Sequence, residues 1–185
     1  MSLAQLEKGK STEVLTECRE LLDRCIAETR TLSYLLHPPL LDEVGFSSAA
    51  TNYVQEFARR SGVQTDILLD LPYRLSPDIE VLLFRVLQES LTNIHRHSGS
   101  DRAQVRAGID GQAVYLEIKD YGRGISQEVM ESYKNSGNGV GVGLAGIRER
   151  LREVDGKLDL SSTRDGTILR VSLLATGTSE PRPLG

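Results

Sequence analysis

Residues 88–98, "QESLTNIHRHS", hold a carboxylate, a primary amide, an arginine and two of the chain's three histidines within three helical turns. Glu89, Asn93 and His97 stand four apart, so an α-helix brings them onto one face in successive turns, with Arg96 beside them. Around them Val81, Leu82, Leu83, Val86, Leu87, Leu91 and Ile94 are apolar and recur at helical spacing. A solvated helix face ordinarily carries lysine–glutamate pairs. This row instead offers an amide oxygen and a carboxylate, the donors a hard cation such as magnesium takes and nucleotide phosphates commonly complete. Arg96 adds charge-assisted bonds to phosphate. His95 and His97 are two apart and do not face each other on a helix, which opposes a zinc pair and leaves His95 as a polar surface side chain. Taken alone, the row also fits the wet face of a surface helix.

Outward from this helix, its start near Ser76 has Pro77 at the first position and Asp78 and Glu80 in the first turn, and the pattern runs to His97. Upstream, "VQTDILLD" reads as a strand and "LPYRLSP" as a turn. Residues 47–60 give another apolar helical face through Ala50, Tyr53, Val54, Phe57 and Ala58, closed by Ser61-Gly62. Downstream, "AQVRAGI" and "AVYLEIKD" alternate apolar and polar residues around Asp110-Gly111, a hairpin signal. After a glycine-rich stretch and the helix "LAGIRERLREV", two strands, "KLDLSST" and "TILRVSLL", flank the turn Arg164-Asp165-Gly166. The tail "GTSEPRPLG" has no apolar pattern and reads as disordered.

At the other end, residues 2–36 form a long amphipathic helix whose seam is Val14, Cys18, Leu21, Cys25, Leu32 and Leu35, with Glu28 the polar intruder. Such a seam needs a partner helix, so a dimer through it is expected. Cys18 and Cys25 lie roughly 10 Å apart along that helix and cannot bridge each other. Pro38 and Pro39 end the helix, which makes "HPPLLDEVGF" a hinge-like connector. The 185 residues suit one ordinary domain plus an extra element, and 39% hydrophobic with 26% charged residues suits a folded, water-soluble protein. A net charge of −4 repels nucleic acid and anionic membranes, and the absence of tryptophan offers no base-stacking platform. No window reaches the roughly 20 apolar residues of a bilayer span, and the start lacks the apolar core of a signal peptide, so a cytoplasmic chain without membrane contact is expected.

Two further motifs bear on chemistry. In "DYGRGI", Asp120 ends a strand and Gly122 and Gly124 follow at alternate positions; glycines there let a ligand ring approach the backbone while the carboxylate accepts from an amino group. The same pattern also serves any sharp turn. In "NGVGVGLAGIRER", Gly139, Gly141, Gly143 and Gly146 run into a helix whose N-terminal N–H groups form an anion site, although the spacing is neither a dinucleotide fingerprint nor a P-loop. A flexible connector reads the same way.

The order of these motifs, helix row, Asp-x-Gly-x-Gly, then glycine-rich helix entry, resembles the N box and glycine boxes of the GHKL ATPases. "FRVLQESLTNIHRHS", "LEIKDYGRGI", "GVGLAGIRERL" and "GTILRVSLL" are similar to the catalytic domain of bacterial sensor histidine kinases that pair with LuxR/NarL-type response regulators. Arg148, Glu149 and Arg150 match that subfamily's signature, and "LSYLLHPPLLDEVGF" resembles the end of the second dimerisation helix. The resemblance implies an α+β fold, a two-layer sandwich of a mostly antiparallel mixed sheet with helices on one face (the Bergerat fold), preceded by a long helix. It divides the chain into the second helix of an incomplete dimerisation and phosphoacceptor hairpin (1–40), an ATP-binding domain (41–176) and a tail (177–185).

It further implies ATP and Mg2+ as cofactors, with Asn93 the magnesium ligand and Glu89 a catalytic carboxylate that orients or deprotonates the phosphoryl acceptor. Arg96 and His97 would approach the phosphates, and Asp120 would accept from the adenine amino group. Gly122 and Gly124 would shape the ring pocket, with Thr167 nearby, while Gly141, Gly143, Leu144 and Gly146 would line the triphosphate. "ISQEVMESYKNSGNGV" would be a mobile ATP lid. One feature departs from the family: no histidine precedes His37, which is followed by two prolines. The chain is therefore expected to be a fragment that lacks the acceptor histidine and does not autophosphorylate, partnered in the full protein by a second copy and a response regulator. The alternatives are a serine kinase of the anti-sigma-factor type and a non-catalytic dimerisation or nucleotide-binding module.

Overall fold

The computed structural model describes residues 39–136, 142–175 and 177–181. The readings placed on 1–38, including the helix seam, both cysteines and His37, on Gly139 and Gly141, and on 182–185 lie outside the described residues. Helix α1 spans Pro39–Ser61, with Gly45 at φ 75° and ψ 174° breaking it near its start. The connector expected as a hinge is thus largely helical. Pro39 suits a first helical position because its φ is already set and its missing N–H would have no partner there. Glycine supplies the positive φ of the break. Beyond it, Phe46, Ala49, Ala50, Val54 and Phe57 are buried.

Strand β1 (Gln64–Asp70) and the short β2 (Tyr73–Leu75) lead to α2 (Pro77–Asn93), which a π-helical turn, Ile94–Ser98, extends. Then come β3 (Arg102–Asp110), β4 (Ala113–Asp120), α3 (Gln127–Ser136), α4 (Val142–Glu153), β5 (Lys157–Thr163), β6 (Gly166–Leu174) and β7 (Gly177–Pro181). Five strands form one sheet in the order β1-β3-β4-β6-β5, parallel between β1 and β3 and antiparallel elsewhere. The parallel pair needs a crossover, and α2 supplies it.

Period-two alternation places Ala103, Val105, Ala107, Val114, Leu116, Ile118, Leu169, Val171 and Leu173 on one face, all buried. Against that face lie Leu83, Val86, Leu87 and Leu91 of α2 and Leu144, Ile147 and Leu151 of α4, in the same core as the α1 residues. This is the expected two-layer α+β sandwich with its helices on one side. The opposite face carries Arg106, Glu117 and Arg170 in register, with the Arg170 guanidinium 3.2 Å from Glu117.

Two further expectations change. "LPYRLSP" contains β2, not only a turn, and residues 177–181, expected as the start of a disordered tail, form β7 and pair antiparallel with β2 (Tyr73↔Pro181, Leu75↔Gly177). Without alternating apolar residues the segment gives no strand signal of its own; its pairing comes from backbone donors and acceptors, which every sequence except proline supplies.

Candidate functional site

Helix α2 presents the row first. Asn93 Nδ2 donates to Glu89 Oε1 at 3.2 Å, one helical turn away, so the amide nitrogen is engaged and its oxygen is the atom left for a cation. Beyond Asn93 the helix widens into the π turn, where bonding runs from i to i+5, so His97 does not simply continue the four-residue row. Ser98 Oγ donates back to Ile94 O at 2.7 Å, and Gly99 ends the turn at φ 67°. Arg96 and His97 are exposed, as is His95, whose ring meets Phe57 of α1 edge-on at 6.4 Å.

At the end of β4, Asp120 points to the helix-covered face and is only 6% exposed. Its Oδ1 accepts from the Gly122 N–H at 2.8 Å and the Thr167 N–H at 3.3 Å. Both donors end on one oxygen, and among the described residues nothing takes Oδ2, which leaves it for a ligand donor. Thr167 Oγ1 lies 3.2 Å from Ser162 Oγ, and Ser162 Oγ also accepts from the Ile125 N–H at 2.7 Å. Strand pairing explains the meeting: Ser162 is directly opposite Thr167 on β5 and β6, and both fall on the Asp120 face.

The glycines of "DYGRGI" have a use inside the chain. A Cβ on Gly122 would stand 2.2 Å from Ser98 O, and one on Gly124, at φ 70°, would stand 2.0 Å from Thr163 O. Gly166 similarly admits Asp120 O at 2.0 Å from its missing Cβ. These glycines let the loop after β4 lie between the π turn and the β5–β6 hairpin. Arg123, between them, donates its backbone N–H to Ser98 O at 3.0 Å and its Nε to His97 O at 2.9 Å.

Helix α4 packs on α2. Leu144 sends its side chain into the core, so only its backbone is left for a ligand, and Gly143 lies in the first turn. Among the described residues Gly146 has no atom within 4 Å of a would-be Cβ, so their packing does not demand glycine there. The first part of the expected lid is α3. It rests on the β5 edge through Tyr133, whose hydroxyl makes a long contact of 3.5 Å to Leu158 O and whose ring lies 5.4 Å from the Arg148 guanidinium. Burial pushes the Tyr133 pKa above its ordinary value; the Arg148 charge opposes this and Asp159 adds to it.

The structure therefore joins Glu89 to Asn93 and Asp120 to Thr167, and links the two groups through Ser98 and Arg123. Sequence reading missed Arg123, Ser98 and Ser162. The two-residue turn at Arg164-Asp165 fixes the hairpin register and so points to Ser162 opposite Thr167; nothing local marks Arg123 or Ser98.

Residues 78–177, more than half of the chain, match the family described as "Histidine kinase-, DNA gyrase B-, and HSP90-like ATPase". The chain belongs to this family. The family model is that of an ATPase domain, and the curated relatives it resembles are sensor histidine kinases. It is similar to the sensor histidine kinase NarS of Mycobacterium tuberculosis, 33% identical over 144 residues that cover 78% of this chain and 33% of that protein. It is also similar to the oxygen sensor histidine kinase NreB of Staphylococcus carnosus, 27% identical over 93% of this chain and 48% of that protein. The chain thus spans between a third and a half of these curated relatives. In fold it is similar to the histidine kinase domain of the blue-light activated histidine kinase of Erythrobacter litoralis, with a TM-score of 0.60 at 17% identity over 74% of this chain and 68% of that one. The mycobacterial sensor histidine kinase MprB gives 0.54 at 24% identity, over 71% and 95% respectively.

Proposed function

We propose that this ATPase domain binds magnesium ATP between Asp120 and Asn93 and transfers the γ-phosphoryl to a histidine on a dimerisation helix, for onward passage to a LuxR/NarL-type response regulator. One observation carries the reading: a nearly buried carboxylate at a strand end, tied through Oδ1 to two backbone N–H groups and free at Oδ2 to accept from an exocyclic amine. Asp120 thereby selects adenine, while the Gly122–Gly124 loop admits the ring plane. A carboxylate held this way has little freedom to turn toward a different donor, so selectivity is built into the fold rather than acquired on binding.

The residues present also fit the metal. Asn93 would hold Mg2+ through its amide oxygen, and the ion would neutralise phosphate charge and align the γ-phosphoryl. Arg96 would supply positive charge and His97 an N–H donor toward the phosphates, and the N-terminal amides of α4 would add donors to the same anion. Glu89 fixes the Asn93 amide and accepts a proton from, or orients, the incoming imidazole. Little covalent chemistry falls to the protein, since positioning and electrostatics govern phosphoryl transfer. Among the described residues no helix is long and apolar enough to cross a membrane, and the proposed place of action is the cytoplasm.

Incubation of this chain with γ-labelled ATP, with and without a dimerisation hairpin carrying an acceptor histidine, tests the proposal. Label should appear on the hairpin's histidine, depend on Glu89, and be absent from the chain alone. An unlabelled hairpin in the presence of bound ATP would contradict the transfer.

A further inference from the structure

We infer that Arg123 is a positioning residue that couples the adenine half of the site to the phosphate half. The inference rests on the ATP site proposed above. The last carbonyls of a helix lack intrahelical partners, and in the π turn those of His97 and Ser98 face the loop after β4. Arg123 takes both, Ser98 O with its backbone N–H at 3.0 Å and His97 O with its Nε at 2.9 Å. The cation also stands at the negative end of α2, where the helix dipole favours it.

The geometry gives this clamp a definite function. Arg96 and His97, the side chains directed to the phosphates, belong to the very turn whose carbonyls Arg123 holds. The loop that carries Arg123 is fixed in turn by Asp120, through the Gly122 N–H, and by Ser162, through the Ile125 N–H. Gly122 has no Cβ to keep the two backbones apart, and one added there would collide with Ser98 O. A shift of the adenine loop therefore moves the π turn, and removal of the Arg123 side chain releases His97 O while the Arg123 N–H keeps Ser98 O and Asp120 keeps its own bonds. Arg123 itself is exposed, so its replacement leaves the core intact.

The test compares two probes on wild type, Arg123→Met, Arg123→Lys and Asp120→Asn: the magnesium complex of adenylyl imidodiphosphate, which engages both halves, and adenosine, which engages one. Arg123→Met should weaken the magnesium complex by roughly tenfold, the loss of one charge-assisted bond, leave adenosine affinity within about twofold, and keep the thermal midpoint; Arg123→Lys should recover much of the loss. Asp120→Asn should weaken both probes. If Arg123→Met matches wild type, or loses both probes equally, while Asp120→Asn still loses both, the coupling is wrong and the ATP site stands. If Asp120→Asn binds both probes as wild type does, the site reading and this inference fall together.

Discussion

At the scale of single residues, the site is defined less by what its side chains are than by where a side chain is missing. Gly124 and Gly146 separate two roles that look alike in the sequence. Gly124→Ala places a Cβ in the left-handed region 2.0 Å from Thr163 O, and the combined strain and overpacking should destabilise the fold by about 2–4 kcal/mol. Gly146→Ala meets nothing within 4 Å among the described residues and should stabilise α4 by about 0.5–1 kcal/mol, yet weaken nucleotide binding, because the proposed phosphate site needs close approach to the backbone there. Chemical unfolding and an ATP-analogue titration on the two variants check both outcomes. The sequence shows all these glycines as one kind of signal, because a close approach between backbones distant in the chain leaves no mark beyond the glycine itself. The shared helix face of Glu89 and Asn93 and the strand-end place of Asp120 were legible because spacing and strand-end position are local properties. Arg123 was not, since its partners His97 and Ser98 lie 26 and 25 residues away.

At the scale of elements, the pair Arg74–Glu80 explains how the start of α1 is held. Glu80, 3% exposed in the first turn of α2, receives the Arg74 guanidinium at 2.9 Å, and the same guanidinium donates to Leu41 O at 2.7 Å and to Asp42 O at 3.4 Å. Gly45 makes room for it, since a Cβ there would stand 2.7 Å from Arg74 Nε. Arg74→Met would strand a buried carboxylate. The expected loss in denaturant unfolding is about 3 kcal/mol, the low end for a buried pair because Arg74 itself is a third exposed. Arg74→Met with Glu80→Leu should regain more than half of that; no recovery in the double variant would show that the carbonyl bonds matter more than the charge. Helix and strand types were legible from periodicity almost throughout. What escaped were features set by tertiary partners: the helical connector, the π turn that breaks the four-residue row after Asn93, and β7, whose pairing with β2 depends on backbone groups rather than side-chain pattern.

At the scale of the whole molecule, a sheet with one covered face sets the end of β4 against the π turn that ends α2, and the Asp120 loop with its glycines meets Ser98 and His97 at that junction. The family and the two-layer architecture were readable because the motifs recur in a fixed order along the chain, whereas the depth of Asp120 and the bond that ties Glu89 to Asn93 required the fold. The central claim is that these two positions bind one nucleotide with its magnesium. Calorimetric titration of a magnesium ATP analogue into wild type, Asp120→Asn and Asn93→Ala tests it most directly. The account predicts binding that needs magnesium in wild type, at least about tenfold weaker binding in Asp120→Asn, and loss of the magnesium requirement together with affinity in Asn93→Ala. Unchanged affinity and unchanged magnesium dependence in both variants would contradict it.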